Sequence, residues 1–353
     1  MLKDIGRKKV SRASATPDAA LVSGDLSDNR TPKARGVIEI PEVEKITITM
    51  ITDNYYDALR SDYKSAKRYA IPPGASILNT SLHAEHGLAY HVETVINGES
   101  HPFLFDFGVD FLRIKRNMEL LNIDFKKLEA LGLSHNHFDH QAALVELLKS
   151  KKDEIRKGIP LYVGEETFVE TYMRRRDGSI TNLEALKRKE IEGLGFVQIV
   201  EVKGPTPIVS GAYLTGKIEQ VTEYEKVPPV FLRKEGDKFE QEYFIGERAV
   251  VSHVKGKGLV VLSGCAHRGI VNTVMQAQRM TGVEKVHAIL GGFHLVGAQP
   301  EIIQSTIADI KAFAPESVVP THCTGFEAIT AFAQEMPDQF IVNTVGTRYT
   351  FST

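Results

Sequence analysis

The residues between positions 135 and 140 carry four side chains that bind divalent metals: His135, His137, Asp139 and His140. They stand in the string S-H-N-H-F-D-H-Q, Ser134 to Gln141. Neutral imidazole and carboxylate are the nitrogen and oxygen donors that zinc takes at roughly 2.0–2.2 Å, and a catalytic ion keeps one position open for water. In an extended segment alternate residues face the same way, so His135 and His137 are placed to share one ion. The turn into a following helix would bring Asp139 and His140 round towards a second. The chemistry on offer is hydrolysis by a metal-activated hydroxide.

The flanking pattern supplies elements to hold such a centre. Leu128 to Leu133 reads as a short buried strand, and Ala142 to Leu148 as the helix after the cluster. Upstream, Lys45 to Ile51 alternates with β-branched residues and reads as a strand. Leu88 to Ile96 and Pro102 to Asp106 flank the turn residues Asn97-Gly98, a hairpin pattern. Phe111 to Leu121 has helical spacing. Downstream, three apolar strands are each followed by a histidine: Gly258 to Gly264 before Cys265-Ala266-His267, Val286 to Leu290 before His294, and Ser317 to Pro320 before His322. Helices over Ile270 to Met280, closed by Gly282, and Glu301 to Phe313 separate them. Strands alternating with helices, with ligands gathered at strand ends, predict an α/β protein.

Residues 150–250 are an insertion or lid region. Within it, Val227 to Gly246 is a candidate hairpin with an aromatic rim. Residues 1–40, rich in Ser, Ala, Asp, Lys and Arg, are expected to form a mobile N-terminal arm, or one ordered only against a partner subunit of a homo-oligomer. Residues 41–353 are expected to form a single domain.

The net charge of −2 removes any general pull towards nucleic acid or anionic membrane, so the expected partner is a small-molecule substrate. No apolar run reaches the ~20 residues of a membrane-spanning helix. The charged N-terminus lacks the apolar core of a secretory signal. The two cysteines, Cys265 and Cys323, each lie close to a histidine and do not form a disulfide framework, so a reduced cytoplasmic setting is expected.

The cluster resembles the signature of the metallo-β-lactamase-fold superfamily. Several stretches occur together with it: Ala84 to Leu88, Leu104 to Gly108, Leu214 to Ile218, Ser263 to Asn272, Gly291 to Leu295 and His322 to Gly325. This set is similar to the branch containing the archaeal dihydropterin–ribofuranosylaminobenzene phosphate synthase. The resemblance implies an αββα sandwich over about Ile46 to Phe351, with one or two metals, expected to be two Zn2+ with Fe or Mn as alternatives, at the edge between the sheets. It implies His135 and His137 on the first metal, Asp139 and His140 on the second, and His322 completing the second. Asp106 matches an early aspartate that supports a ligand histidine.

Many relatives carry a further histidine and then a bridging aspartate. Here Gly264-Cys265 replaces the Gly-Asp, and His267 is the expected remaining ligand on the first metal. Cys265 is placed beside the ligands as a soft donor, a reactive thiol or a small buried residue. Asp139 and His294 are the expected catalytic residues, His86 and Arg268 the expected substrate contacts, and His253 a structural residue.

Three functions fit these residues. The first is a metal-dependent hydrolase of a small-molecule lactone, lactam, ester or phosphoester. The second is a synthase-like transferase that joins a pterin to a phosphorylated ribosyl-aminobenzene on the same metals, with Arg268, Lys217 and Arg174 to Arg176 as candidate phosphate contacts. The third is an iron-dependent oxygenase of the same fold or a silent binding protein.

Overall fold

The computed structural model describes residues 37–353. The arm expected over 1–40 therefore lies outside the described residues except for its last four. Of those four, Ile38 donates its N–H to the Met280 carbonyl at 2.7 Å, and Ile40 is buried in the apolar cluster that includes Met280.

Two large sheets face one another. One orders the strands Thr206–Val209, Ala212–Leu214, Val250–Val254, Gly258–Leu262, Val286–Gly292 and Ser317–Thr321, with Glu42–Val43 pairing alongside Val250–Val254. The other runs Val197–Val202, Ile159–Gly164, Ala130–Gly132, Glu99–Phe107, Ala89–Ile96, Lys45–Thr52, Arg348–Ser352 and Ala66–Lys67. Met50, Tyr90, Phe103 and Phe105 of the second sheet pack against Val260, Leu262, Leu290 and Val319 of the first.

The outer faces are covered by helices. Phe111–Leu120 and Leu144–Ser150 lay Ile114, Met118, Leu144 and Leu147 on the second sheet. Ile270–Thr281, Pro300–Ala312 and Phe326–Glu335 lay Ile270, Val274, Ile307 and Phe332 on the first. This is the expected αββα arrangement. It explains why Gly258–Leu262 is apolar throughout: Val260 and Leu262 face the other sheet, whereas Leu259 and Val261 face the helices.

Local chemistry sets the boundaries. Asp110 caps Phe111–Leu120 by accepting the N–H groups of Leu112 and Arg113. Gly282, left-handed at φ 69°, ends Ile270–Thr281. Asn97 and Gly98, with φ of 51° and 77°, make the tight hairpin turn.

The helix expected over Ala142 to Leu148 starts two residues later, and a separate turn precedes it. A single turn, Phe138–Gln141, holds Asp139 and His140, and Leu144–Ser150 follows it. The insertion region forms its own four-stranded sheet, in the order Lys238–Gln241, Phe231–Glu235, Thr171–Arg174 and Ile180–Asn182. Its Phe231–Gln241 hairpin falls within the span expected for one.

Candidate metal centre

The strand topology brings the chemistry to one edge. Gly258–Leu262, Val286–Gly292 and Ser317–Thr321 are parallel neighbours, so Cys265-Ala266-His267, His294 and His322 leave the sheet side by side. Glu99–Phe107 and Ala130–Gly132 are likewise parallel, and place Asp106 beside Ser134 and the cluster. The chain leaves these strands through backbone that L-residues seldom adopt: Asp106, Ala266, His294 and His322 have φ of 60°, 54°, 44° and 53°. Each such residue costs on the order of 1–3 kcal/mol, which the surrounding packing must offset.

Among the described residues three groups of potential ligand atoms result, each with its atoms within 4.8 Å of one another: His135, His137 and His267; Asp139, His140, Cys265 and His322; and Cys265, His267 and His294. The Nε2 atoms of His135 and His267 are 3.2 Å apart. His140 Nε2 is 3.0 Å from Cys265 Sγ, and His322 Nε2 is 3.1 Å from Asp139 Oδ2. All seven residues of the first two groups are buried. Yet His137 Nε2, Asp139 Oδ1, His267 Nδ1 and His322 Nδ1 have no hydrogen-bond partner. Buried polar atoms are ordinarily satisfied, and an imidazole nitrogen left free among other donors, as His137 Nε2 is, is what a metal ligand requires.

For the first group the protonation states agree with this. Burial, reinforced by the neighbouring imidazoles His140 and His137, holds His135 well below its ordinary pKa. Burial takes His137 to about 3. Burial and His294 lower His267. All three are therefore neutral and able to donate a lone pair. Burial opposes charge at His322, but the Asp139 hydrogen bond and the nearby Cys323 and Asp53 outweigh it and raise the ring to about 9. Burial also opposes charge at Asp139, where His140 and His322 prevail and lower the carboxyl. These two residues share an ion pair that an incoming cation would compete with.

Buried carboxylates hold the ligands from behind. Asp106 accepts from Ser134 N at 2.8 Å and Ser134 Oγ at 2.7 Å, and its Oδ2 lies 2.7 Å from His140 Nδ1. Asp106 thereby holds His140 Nδ1 and leaves His140 Nε2 3.0 Å from Cys265 Sγ. Gly264 permits this contact between the sheets, because a Cβ there would lie 2.1 Å from Ser134 Oγ.

Two further acids were not singled out in the sequence. Glu247 accepts the backbone N–H groups of His267 and Arg268 at 2.7 and 2.8 Å; burial raises it to about 6 against those two bonds. Asp53 has Oδ1 3.7 Å from His322 Nδ1 and Oδ2 held by Asn343 at 2.6 Å. Asp53 carries the same strand-end signal as Asp106, closing Lys45–Thr52. Glu247 sits in an irregular loop with no comparable pattern.

The insertion contributes a wall. Phe244 lies parallel to the His267 ring, 3.9 Å between centroids, and Phe231 is 5.3 Å from His137 and 5.6 Å from His294. This is the aromatic rim expected of the 227–246 segment. His86 is at the open side: its ring stacks on His322 at 5.0 Å, and its Nε2 is 3.6 Å from Asp139 Oδ2.

Cys265 offers Sγ among the donor atoms of two groups, the position of the soft-donor alternative. One expected role changes. Arg268, expected to touch substrate, is buried and donates its guanidinium to the carbonyls of Ile218 and Tyr243. Those contacts knit the insertion to the strand end and leave the charge directed inward. Lys217 and Arg174 to Arg176 are exposed. His253 belongs to none of the donor groups and lies 3.7 Å from Glu42 on the paired strand.

No family model matches the chain. A 7,8-dihydropterin-6-methyl-4-(β-D-ribofuranosyl)-aminobenzene-5'-phosphate synthase of Methanocaldococcus jannaschii is 32% identical over 277 residues, covering 78% of this chain and 92% of that one. An uncharacterised protein of the same organism is 27% identical over 267 residues, 74% of this chain and 92% of its own length. A crystal structure of a metal-dependent hydrolase of the β-lactamase superfamily superposes with a TM-score of 0.67 at 22% identity, covering 87% of this chain and all of that one. No helix among the described residues is long and apolar enough to cross a membrane. With its two facing sheets, strand-end donor groups and this likeness, the chain belongs to the metallo-β-lactamase-fold superfamily, in the branch of the archaeal dihydropterin–ribofuranosylaminobenzene phosphate synthase.

Proposed function

We propose that this protein is a metal-dependent hydrolase of a small-molecule lactone, lactam, ester or phosphoester. The observation that carries the reading is the pair of adjoining donor groups, one of three neutral histidines and one of Asp139, His140, Cys265 and His322, with His137 Nε2 buried and unpartnered. His135, His137 and His267 would hold one ion and the second group another. When bound, such ions supply Lewis acidity and a water acidified to a pKa of about 7. Asp139, with Oδ1 unpartnered, is placed to orient the attacking water. His294, whose ring lies 4.1 Å from that of His267, is placed to pass a proton to the leaving group. Phe231 and Phe244 keep bulk water from the histidines on that side.

Protein purified without chelator is expected to contain two zinc ions per chain and to cleave at least one member of a chromogenic lactone, lactam, monoester and diester panel. One iron and no zinc, or a zinc-replete protein inert to the whole panel, would overturn the hydrolase reading. The 32% identity to a named synthase favours one alternative, a transferase joining a pterin methyl carbon to a phosphorylated ribosyl-aminobenzene on the same centre, with pyrophosphate leaving the pterin. Formation of that adduct by a protein inert to the hydrolytic panel would establish it.

A further inference from the structure

The outer face of the second sheet is apolar only as far as its helices reach. Ile51, Ala89 and Leu104 join the apolar layer of Ile114 and Met118 from Phe111–Leu120. Further along the strands the outward positions are mostly polar: Lys45, Thr47 and Thr49 on Lys45–Thr52, His91 and Glu93 on Ala89–Ile96, and Arg348 and Thr350 on Arg348–Ser352. The register sets His91, Thr49 and Arg348 side by side across these three strands. Directly opposite residues of antiparallel strands have Cβ atoms ~4.5–5.5 Å apart, so the three make one continuous row.

A cavity of about 360 Å³ stands over this row, closed on one side by Asn122, Asp124 and Lys127. It lies within the roughly 300–1,000 Å³ of small-molecule sites. A merely solvated sheet face would not bury a hydroxyl without a partner, yet Thr49 is 1% exposed and its Oγ1 has none. Burial, reinforced by the Arg348 charge, lowers the neighbouring His91 to about 4, so its imidazole is neutral at pH 7. Lys45, Lys127 and Arg348 line the cavity with the carboxylates Glu93 and Asp124, which leaves a single net positive charge. Lys127 pairs with Asp124 at 4.0 Å, whereas Lys45 and Arg348 have no ion pair among the described residues.

This lining selects its ligand. Arg348 and Lys45 suit one carboxylate, with Thr49 Oγ1 donating to it from the floor. Glu93, which only accepts, suits a hydroxyl and opposes a second negative charge. We propose that the cavity is a second binding site, apart from the metal centre, for a hydroxylated monocarboxylate of sugar-acid size. Thr49 stands four residues before Asp53, about 13 Å along a strand at ~3.3 Å per residue. No donor residue of the metal centre lines the cavity.

The test is calorimetric titration of the metal-loaded full chain with sodium gluconate, at an ionic strength held constant with sodium chloride. Gluconate is expected to saturate one site per chain. Glucose, of similar size and uncharged, and inorganic phosphate, compact and more highly charged, are each expected to bind at least tenfold more weakly. Arg348→Met should weaken gluconate about tenfold and Thr49→Val about fivefold, as for loss of a charged and a neutral hydrogen-bonding group. Because Thr49 Oγ1 has no partner, Thr49→Val should leave the Tm of the ligand-free protein unchanged or higher, which separates lost recognition from lost folding. Gluconate held by the metals instead would bind Arg348→Met as tightly as wild type, and that result would overturn the proposal. So would an affinity unchanged by Thr49→Val, glucose or phosphate binding as tightly as gluconate, or no saturable gluconate binding.

Discussion

Replacing Asp106 by Asn tests whether the second donor group is a metal site tuned from behind. The native carboxylate faces three polar groups: Ser134 N and Ser134 Oγ, which donate to it, and His140 Nδ1 at 2.7 Å. A carboxylate can accept from all three, which places a proton on His140 Nδ1 and leaves Nε2 bare towards Cys265. An Asn has one accepting oxygen. If that oxygen keeps the Ser134 backbone N–H, the amide NH2 points at His140 Nδ1. That nitrogen must then accept, and the proton moves to Nε2, where a metal would sit. Loss of such a supporting partner costs roughly 10–100-fold in metal affinity, or about 1.4–2.7 kcal/mol.

Competition with a chromophoric chelator should therefore show one zinc equivalent of D106N weakened by that factor, the other unchanged. The isosteric swap leaves the fold intact, so a Tm of the metal-free protein within a few degrees is part of the expected result. Two equivalents with wild-type affinity would refute the tautomer argument. Equal weakening of both would mean that Asp106 supports the whole edge rather than His140.

Gly264→Ala would push a methyl group to 2.1 Å from Ser134 Oγ and displace the Ser134–Asp106 contact. A loss of about 1–3 kcal/mol is expected in urea unfolding, together with weaker metal binding. His137→Ala should remove one metal equivalent and abolish hydrolysis, whereas His253→Ala should leave the metal content at its wild-type value by elemental analysis. Glu225, buried and accepting the N–H groups of Val271 and Asn272, is pushed by that burial up to about 7. A carboxyl raised in the folded state binds more protons there than when unfolded, so stability falls as pH rises from about 4.5 towards 7. Glu225→Gln should flatten that part of the Tm–pH curve; an unchanged slope would show that another group is responsible.

The parts of the centre legible in the sequence are those with a strict spacing or a regular element behind them. His135 to His140 lie in one short string, and Cys265, His267, His294 and His322 each follow a recognisable strand. Parallel neighbouring strands then bring those ends together without further information. Asp53 and Glu247 were not singled out because their roles depend on which loop lies across from them, here His322 Nδ1 and the His267 backbone. Arg268 misled for the same reason. An arginine beside a ligand histidine suggests an anion site, and only the path of the insertion shows that its guanidinium is taken by Ile218 and Tyr243. The four strands of that insertion are short, and the pairing of Phe231–Glu235 with Thr171–Arg174 joins segments more than 50 residues apart, which no local pattern announces.

The two halves of the centre belong to different sheets. His135, His137, Asp139 and His140 follow Ala130–Gly132 of one, whereas Cys265, His267 and His322 follow strands of the other. Any ion held between them is a rivet through the edge of the sandwich, and its ligand distances register how the sheets slide past one another. Residues such as Met50, Phe105 and Leu290, which only fill the space between the sheets, thereby become gauges of the centre. A change of volume there that the fold survives would be read first as altered metal affinity, before any loss of secondary structure.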